Sequence, residues 1–172
     1  MILTEEIRTI LLYSRDEAMR TGCYAIAPEH LLLGILRHGD NAAVRTLGQF
    51  GLDPAAVKAD LDGRVFREQA IPYSDEDDIS FTRSALNICS YTLMEAMRCN
   101  QDVSSIHLLA ALCDCPGDFC STYLHGRGIT LQVLRTIMSR SSEASTRKTS
   151  LPETEDLNKL LSVFYRDKEI FS

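Results

Sequence analysis

Apolar residues recur along most of this chain at the three- to four-residue spacing that is typical of amphipathic α-helices. The first such stretch lies between Thr4 and Gly22, and its apolar positions include Ile7, Ile10 and Leu11. The Thr4 hydroxyl can cap a helix, and Gly22 can end one because glycine adopts a left-handed conformation without strain. The pattern therefore predicts a first helix between these two residues.

Three more helices are predicted directly after the first. Pro28 suits the first position of a second helix, and the segment 29–36 that follows is too apolar for a helix on the surface. We therefore expect the second helix to lie at the centre of the fold. A third helix is predicted over 41–49, and a fourth begins at Asp53-Pro54 and continues through Leu61.

The same order of elements occurs a second time. The tetrapeptide Glu-Ala-Met-Arg stands at 17–20 and again 78 residues further along the chain. At that offset Thr4 falls on Thr82, and after the loss of one residue in a turn His30 falls on His107. Such a duplication predicts two copies of one helical unit. The helices of the second copy are predicted over 82–100, 104–113, 118–126 and 130–138.

These patterns predict an all-α fold of eight helices, arranged as two pseudo-symmetric four-helix repeats. We assign repeat one to 3–65 and repeat two to 79–140, within one domain over 1–140. Residues 63–78 between them contain Pro72 and an acidic run, and this composition is typical of a solvated connection.

The last part of the chain has no counterpart in the repeat. Residues 141–152 are polar and poor in large apolar side chains, which predicts a linker. Residues 153–172 predict one amphipathic C-terminal helix or tail. Phe164, Tyr165 and Phe171 in this tail would be costly to leave in water, so we expect it to pack on the domain or in an oligomer contact.

The composition narrows the class of protein. With 172 residues, of which 45% are hydrophobic and 24% charged, the chain can bury a core. A net charge of −6 without an extended basic cluster argues against a nucleic-acid partner. No stretch approaches the roughly 20 apolar residues of a membrane helix, and the N-terminus does not resemble a signal peptide. We therefore expect a soluble, cytoplasmic protein without a membrane partner, whose six cysteines are reduced.

A specific set of residues in both copies resembles a known family. The residues are Thr4, Ala18, 27–36, Leu47 and Gly51 in the first copy, and Thr82, Ala96, 107–109, Leu124 and Gly128 in the second. This set resembles the Clp N-terminal domain, the double Clp repeat of the Clp unfoldase family, and is most similar to the ClpC and ClpA type.

The resemblance implies a non-catalytic protein-binding domain of the Clp unfoldase/protease system. In that role it docks adaptor proteins or substrate proteins for ATP-dependent unfolding and degradation. The alternative is a stand-alone accessory protein that binds the Clp ATPase or peptidase ring and regulates its assembly. The sequence contains no Gly-x-x-x-x-Gly-Lys-Ser/Thr phosphate loop, so we expect neither an enzyme nor a bound cofactor.

The resemblance also implies a candidate ligand pocket. Some members of the family bind phosphoarginine through a Glu at the start of the second helix and a Thr that opens the first. Thr4 and Glu29 match these positions in the first copy, whereas in the second Thr82 is kept and Ile106 replaces the Glu. The alternative is that Thr4 is a helix cap and Glu29 a first-turn acid favoured by the helix dipole, with no ligand.

The histidines that recur at one position of both copies form a second candidate site. His30 and His107 could be a catalytic or metal-binding pair, but each stands beside a leucine-rich run. Imidazoles in such places usually pack against and hydrogen-bond to neighbouring helices, and we expect the same here.

The cysteines near residue 115 form a third candidate. Cys113, Cys115 and Cys120 have, with His125, a spacing that loosely resembles a zinc site. The repeat places Cys113 and Cys120 on apolar positions of the first copy, so we expect buried thiols and no metal.

Overall fold

The computed structural model of this protein describes residues 3–142 and 154–162. It confirms the predicted all-α class and the two four-helix repeats. The helices agree with the predicted segments to within a few residues, and the last helix of the second repeat extends furthest beyond its predicted end. The helices of the two repeats are α1 Glu5–Thr21, α2 Pro28–His38, α3 Ala42–Gln49, α4 Pro54–Val65, α5 Arg83–Arg98, α6 Ser105–Cys113, α7 Phe119–His125 and α8 Leu131–Ser142.

The helix ends follow from the capping residues of the sequence. Thr4 accepts a hydrogen bond from the backbone N–H of Ile7 at 3.3 Å, and Thr82 accepts the equivalent bond from Ala85 at 3.2 Å. Gly22 ends α1 with φ of 80°, and a Cβ atom at this position would collide with the carbonyl oxygen of Gln69. These three residues therefore fix where the first helix of each repeat begins and where α1 ends.

The second helix of each repeat forms the centre of the core, as expected for α2. Leu31 and Leu32 in α2 are 0% exposed, and every residue of α6 is buried. Helix α1 packs along α2, and α5 packs along α6 in the same way. Full burial of one such leucine contributes about 2 kcal/mol, so these central helices provide much of the stability of the fold.

A short parallel strand pair links the two repeats, and the helical pattern did not predict it. Strand β1, Ala25–Ile26, pairs with β2, Ser80–Phe81. A single parallel bridge between Leu3 and Val103 occupies the corresponding place in the other half of the molecule. The segment that precedes the first helix of each repeat therefore pairs with the segment that precedes the second helix of the other repeat.

The connection between the repeats is more ordered than the sequence predicted. A 3-10 helix spans Tyr73–Asp78, within the acidic run. Upstream of it, the backbone N–H of Arg67 donates to Thr21 at 2.7 Å, and that of Ile71 donates to Met19 at 2.9 Å. These bonds hold the connection against the C-terminal end of α1, although many of its side chains face solvent.

One more helix is present in the C-terminal part of the chain that the structure describes. Helix α9, Thr154–Leu161, packs against α5, and its Leu160 and Leu161 are buried to 1% and 0% exposure. Most of the predicted linker and the aromatic residues of the tail lie outside the described residues, so the boundaries at 141–152 and 153–172 stay predictions. No helix within 3–142 or 154–162 has the length and apolar character to span a membrane.

Candidate functional site

A cavity of about 720 Å³ opens where the start of α2 meets the start of α5. Its lining includes Glu29 from the first turn of α2, Thr82 from the cap of α5, and Tyr24, Arg64 and Arg67. Thr82 belongs to the second repeat and the other four to the first repeat and its connection, so the cavity lies mainly in the first repeat and is bordered by the second at Thr82.

An ion pair between Glu29 and Arg64 dominates the chemistry of the cavity. The Arg64 Nε–H donates to Oε1 of Glu29 at 2.8 Å, and the Glu29 side chain is 10% exposed. The same guanidinium lies over the ring of Phe119 in α7, 4.4 Å from its centroid. A largely buried carboxylate is costly without a partner, so Arg64 offsets the burial of Glu29. The aromatic ring adds a cation–π contact.

The crossed strand pairs place Thr82, and not Thr4, beside Glu29. The backbone N–H of Thr82 donates to the carbonyl oxygen of Ile26 at 3.0 Å, just before α2 begins. Thr4 is absent from the lining of the cavity, and its hydroxyl donates to the carbonyl oxygen of Val103 at 2.7 Å, just before α6 begins. The expected grouping of Thr4 with Glu29 is therefore wrong, because each Thr opens a helix beside the other repeat.

The position beside Thr4, which the repeat relates to the position of Thr82 in the cavity, is occupied by the carboxylate of Glu6. Oε1 of Glu6 accepts a hydrogen bond from the backbone N–H of Ser105 at 2.8 Å, at the first residue of α6. The first residue of α2 is Pro28, which has no N–H to satisfy. Ile106 follows Ser105 in the position that corresponds to Glu29, so α6 itself has no first-turn carboxylate that could bind a guanidinium.

The two recurring histidines hydrogen-bond to the turns that precede their own helices, and His30 also contacts Thr21 of the neighbouring helix α1. Nδ1 of His30 accepts from the backbone N–H of Ala27 at 2.9 Å, and its Nε2 lies 3.0 Å from the hydroxyl of Thr21. Nδ1 of His107 accepts from the backbone N–H of Ser104 at 3.1 Å, and Nε2 faces the Gln101 side chain. Burial lowers the pKa of each imidazole to about 4, so both are neutral near pH 7.

Two of the candidate zinc ligands are instead part of the core. Cys113 is 2% and Cys120 is 0% exposed. Burial raises the pKa of Cys113 to about 12 and that of Cys120 well above the value of a free thiol. Both are thus unreactive small hydrophobic groups. Across the part of the chain that the structure describes, no group of three or more His, Cys, Asp or Glu residues has a metal-binding arrangement.

Comparison with known sequences agrees with this architecture. The family model of the Clp repeat (R) N-terminal domain matches residues 2–99. The chaperone protein ClpB of Oceanobacillus iheyensis is 25% identical over 170 residues, which cover 95% of this chain and 20% of that protein. The negative regulator of genetic competence ClpC/MecB of Bacillus subtilis is 26% identical over 153 residues, or 86% of this chain and 18% of that protein. The chain thus spans about a fifth of the length of these relatives.

Solved structures share the fold. The N-terminal domain of the chaperone ClpD of Arabidopsis thaliana superposes with a TM-score of 0.56 at 18% identity, covering 83% of this chain and 95% of that domain. A structure from an investigation of a malarial protein secretion system superposes with a TM-score of 0.69 at 14% identity, covering 84% of this chain and 97% of the other. The matching family model spans more than half of the sequence, and this chain therefore belongs to the Clp repeat N-terminal domain family.

Proposed function

We propose that this chain is a non-catalytic protein-binding domain of the Clp unfoldase/protease system, which docks adaptor proteins or substrate proteins. The observation that carries the proposal is the cavity at the start of α2, whose lining contains both the Glu29 carboxylate and an exposed aromatic residue, Tyr24. Tyr24 in its wall is 51% exposed, and Phe66, between two lining residues, is 57% exposed. Exposed aromatic side chains around a recessed charge are typical of protein-binding surfaces.

The polar groups of the cavity favour binding over catalysis. His30 is neutral and uses both ring nitrogens to hold the turn before α2. The thiol of Cys23 donates to the carbonyl oxygen of Val65 at 3.4 Å. Because His30 and Cys23 already hydrogen-bond to the backbone or to a neighbouring side chain, they are poor candidates for a catalytic base or nucleophile.

We further propose that the cavity accepts a phosphoarginine side chain of a substrate. Glu29 would pair with the guanidinium group, and Thr82, at the N-terminus of α5, would lie near the phosphate. Helix α5 begins with the exposed Arg83, whereas α1 begins with Glu5 and Glu6. An anion is therefore favoured beside Thr82 and repelled beside Thr4.

Binding of defined proteins tests the docking role. The chain is immobilised and presented with unfolded casein, with arginine-phosphorylated casein and with a purified Clp ATPase ring. We expect the chain to retain the phosphorylated casein and the ring. A Glu29→Gln variant should retain the phosphorylated casein more weakly. If none of the three proteins is retained, the docking role is wrong. If only the ring is retained and its assembly changes, the accessory role applies instead.

A further inference from the structure

We propose that Arg64 is an internal ligand of the Glu29 pocket, and that an arginine side chain from a partner protein binds there by displacing it. This inference rests on the proposed docking function and identifies what the pocket recognises and what regulates access to it. Arg64 makes both contacts that a bound guanidinium needs, a carboxylate at 2.8 Å and an aromatic ring at 4.4 Å. The pocket is thus complementary to the group that already occupies it.

Exchange of the Arg64 guanidinium for that of another arginine costs little free energy at Glu29. Removal of Arg64 without replacement would leave Glu29 buried and unpaired, which is strongly unfavourable. An incoming arginine takes over the pairing as Arg64 leaves, so the carboxylate is never left without a partner. The Arg64 side chain is already 51% exposed, so about half of it is in contact with solvent before it leaves the pocket.

The fold has a second contact that persists when Arg64 moves. The hydroxyl of Tyr123 in α7 donates to Oδ2 of Asp60 in α4 at 2.7 Å, one helical turn before Arg64. Tyr123 also packs on Phe119, with 5.6 Å between the ring centroids. Helices α4 and α7 therefore stay joined after Arg64 leaves Phe119, and displacement does not require the repeats to separate.

A second arginine provides a matched control for charge. Arg67 lines the same cavity, and within the described residues no carboxylate is paired with it. The variants Arg64→Gln and Arg67→Gln each remove one positive charge from the cavity wall, but only the first releases Glu29. A difference between them therefore measures competition for the carboxylate and not the net charge of the cavity.

The experiment is a calorimetric titration of the whole chain with Nα-acetyl-arginine amide, with the isosteric, uncharged citrulline derivative as control ligand. If Arg64 occupies the pocket about nine-tenths of the time, Arg64→Gln raises the affinity for the arginine probe about tenfold. We expect a much smaller gain for Arg67→Gln, no binding of the citrulline probe, and loss of binding in Arg64→Gln/Glu29→Gln. In the wild type, saturation with the probe should shift the NMR signal of the Arg64 Nε–H group.

Several outcomes would overturn the inference. If Arg64→Gln and Arg67→Gln raise the affinity for the arginine probe equally, the effect is due to charge alone. If Arg64→Gln binds the probe more weakly than the wild type, Arg64 is part of the ligand site. Absence of binding in every variant would show that the pocket does not take a guanidinium. The retention of whole proteins is measured separately, so a docking domain that binds through another surface would still be recognised.

Discussion

The backbone N–H of Thr82 donates to the carbonyl oxygen of Ile26 across the boundary between the repeats, at 3.0 Å. This bond places the cap of α5 beside the first turn of α2, and so brings Thr82 next to Glu29. The matching bond from Thr4 to Val103, at 3.3 Å, builds the other half of the pseudo-symmetric arrangement. The cap of the first helix in each repeat thus lies beside the second helix of the other repeat, which explains why the cavity at Glu29 also contains Thr82.

The close packing of α1 on α2 depends on Gly34. A Cβ atom here would collide with Oγ of Ser14 and crowd the carbonyl oxygen of Ile10, whereas a Cβ on Gly48 in α3 would meet nothing within 4 Å. We expect Gly34→Ala to lower the free energy of unfolding by about 1–3 kcal/mol, as overpacked core substitutions do. Gly48→Ala should instead raise it by about 0.5–1 kcal/mol through helix propensity. Urea unfolding measures both, and equal effects would contradict the packing argument.

The Glu6 carboxylate should stabilise the start of α6. Loss of its bond to the Ser105 N–H in Glu6→Ala should cost about 1 kcal/mol, as loss of a helix cap does. Glu5 is the neighbouring first-turn acid and is exposed, so Glu5→Ala removes the same favourable dipole interaction without the cap. The difference between the two variants in thermal unfolding isolates the Ser105 bond. A difference near zero would show that solvent replaces this bond.

Stability should fall as the solution is acidified through the range of the two histidines. Burial lowers the pKa of His30 and His107 to about 4, from an ordinary value of 6.5. The unfolded chain therefore binds more protons than the folded chain between these values, and stability is lost as the pH falls from 6.5 towards 4. Each histidine should contribute a loss on the order of 2 kcal/mol between pH 7 and pH 5.

Unfolding of a His30→Gln variant at the same two pH values checks this assignment. Glutamine does not titrate, so the variant should lose less stability on acidification than the wild type, even if it is less stable at pH 7. An unchanged pH dependence would mean that other groups control acid unfolding.

The capping residues and the apolar periodicity predicted nearly every helix of the two repeats. Thr4, Gly22 and Pro28 act locally, so their effect on the backbone can be read from the sequence. The strand pair between Ala25–Ile26 and Ser80–Phe81 could not be predicted in this way, because two residues are too few to show a periodic pattern and the pairing is long-range.

The contents of the candidate site were predicted only in part. The repeat alignment identified Glu29 and the loss of its counterpart at Ile106, since both follow from residue identity. It paired Glu29 with the wrong Thr because an internal repeat specifies which residues are equivalent but not which equivalent residues meet. Arg64 was missed because a single arginine near the end of α4 carries no motif, and only the fold brings it to Glu29.

Calorimetric titration of the chain with free phosphoarginine, repeated with Glu29→Gln and with the remote Glu5→Gln, tests the proposed binding pocket most directly. We expect measurable binding by the wild type and by Glu5→Gln, and a loss of affinity of at least about tenfold in Glu29→Gln, because a charge-assisted bond to the guanidinium is removed. Binding that is the same in all three proteins, or absent from the wild type, would contradict the assignment of the Glu29 and Thr82 cavity as the ligand site.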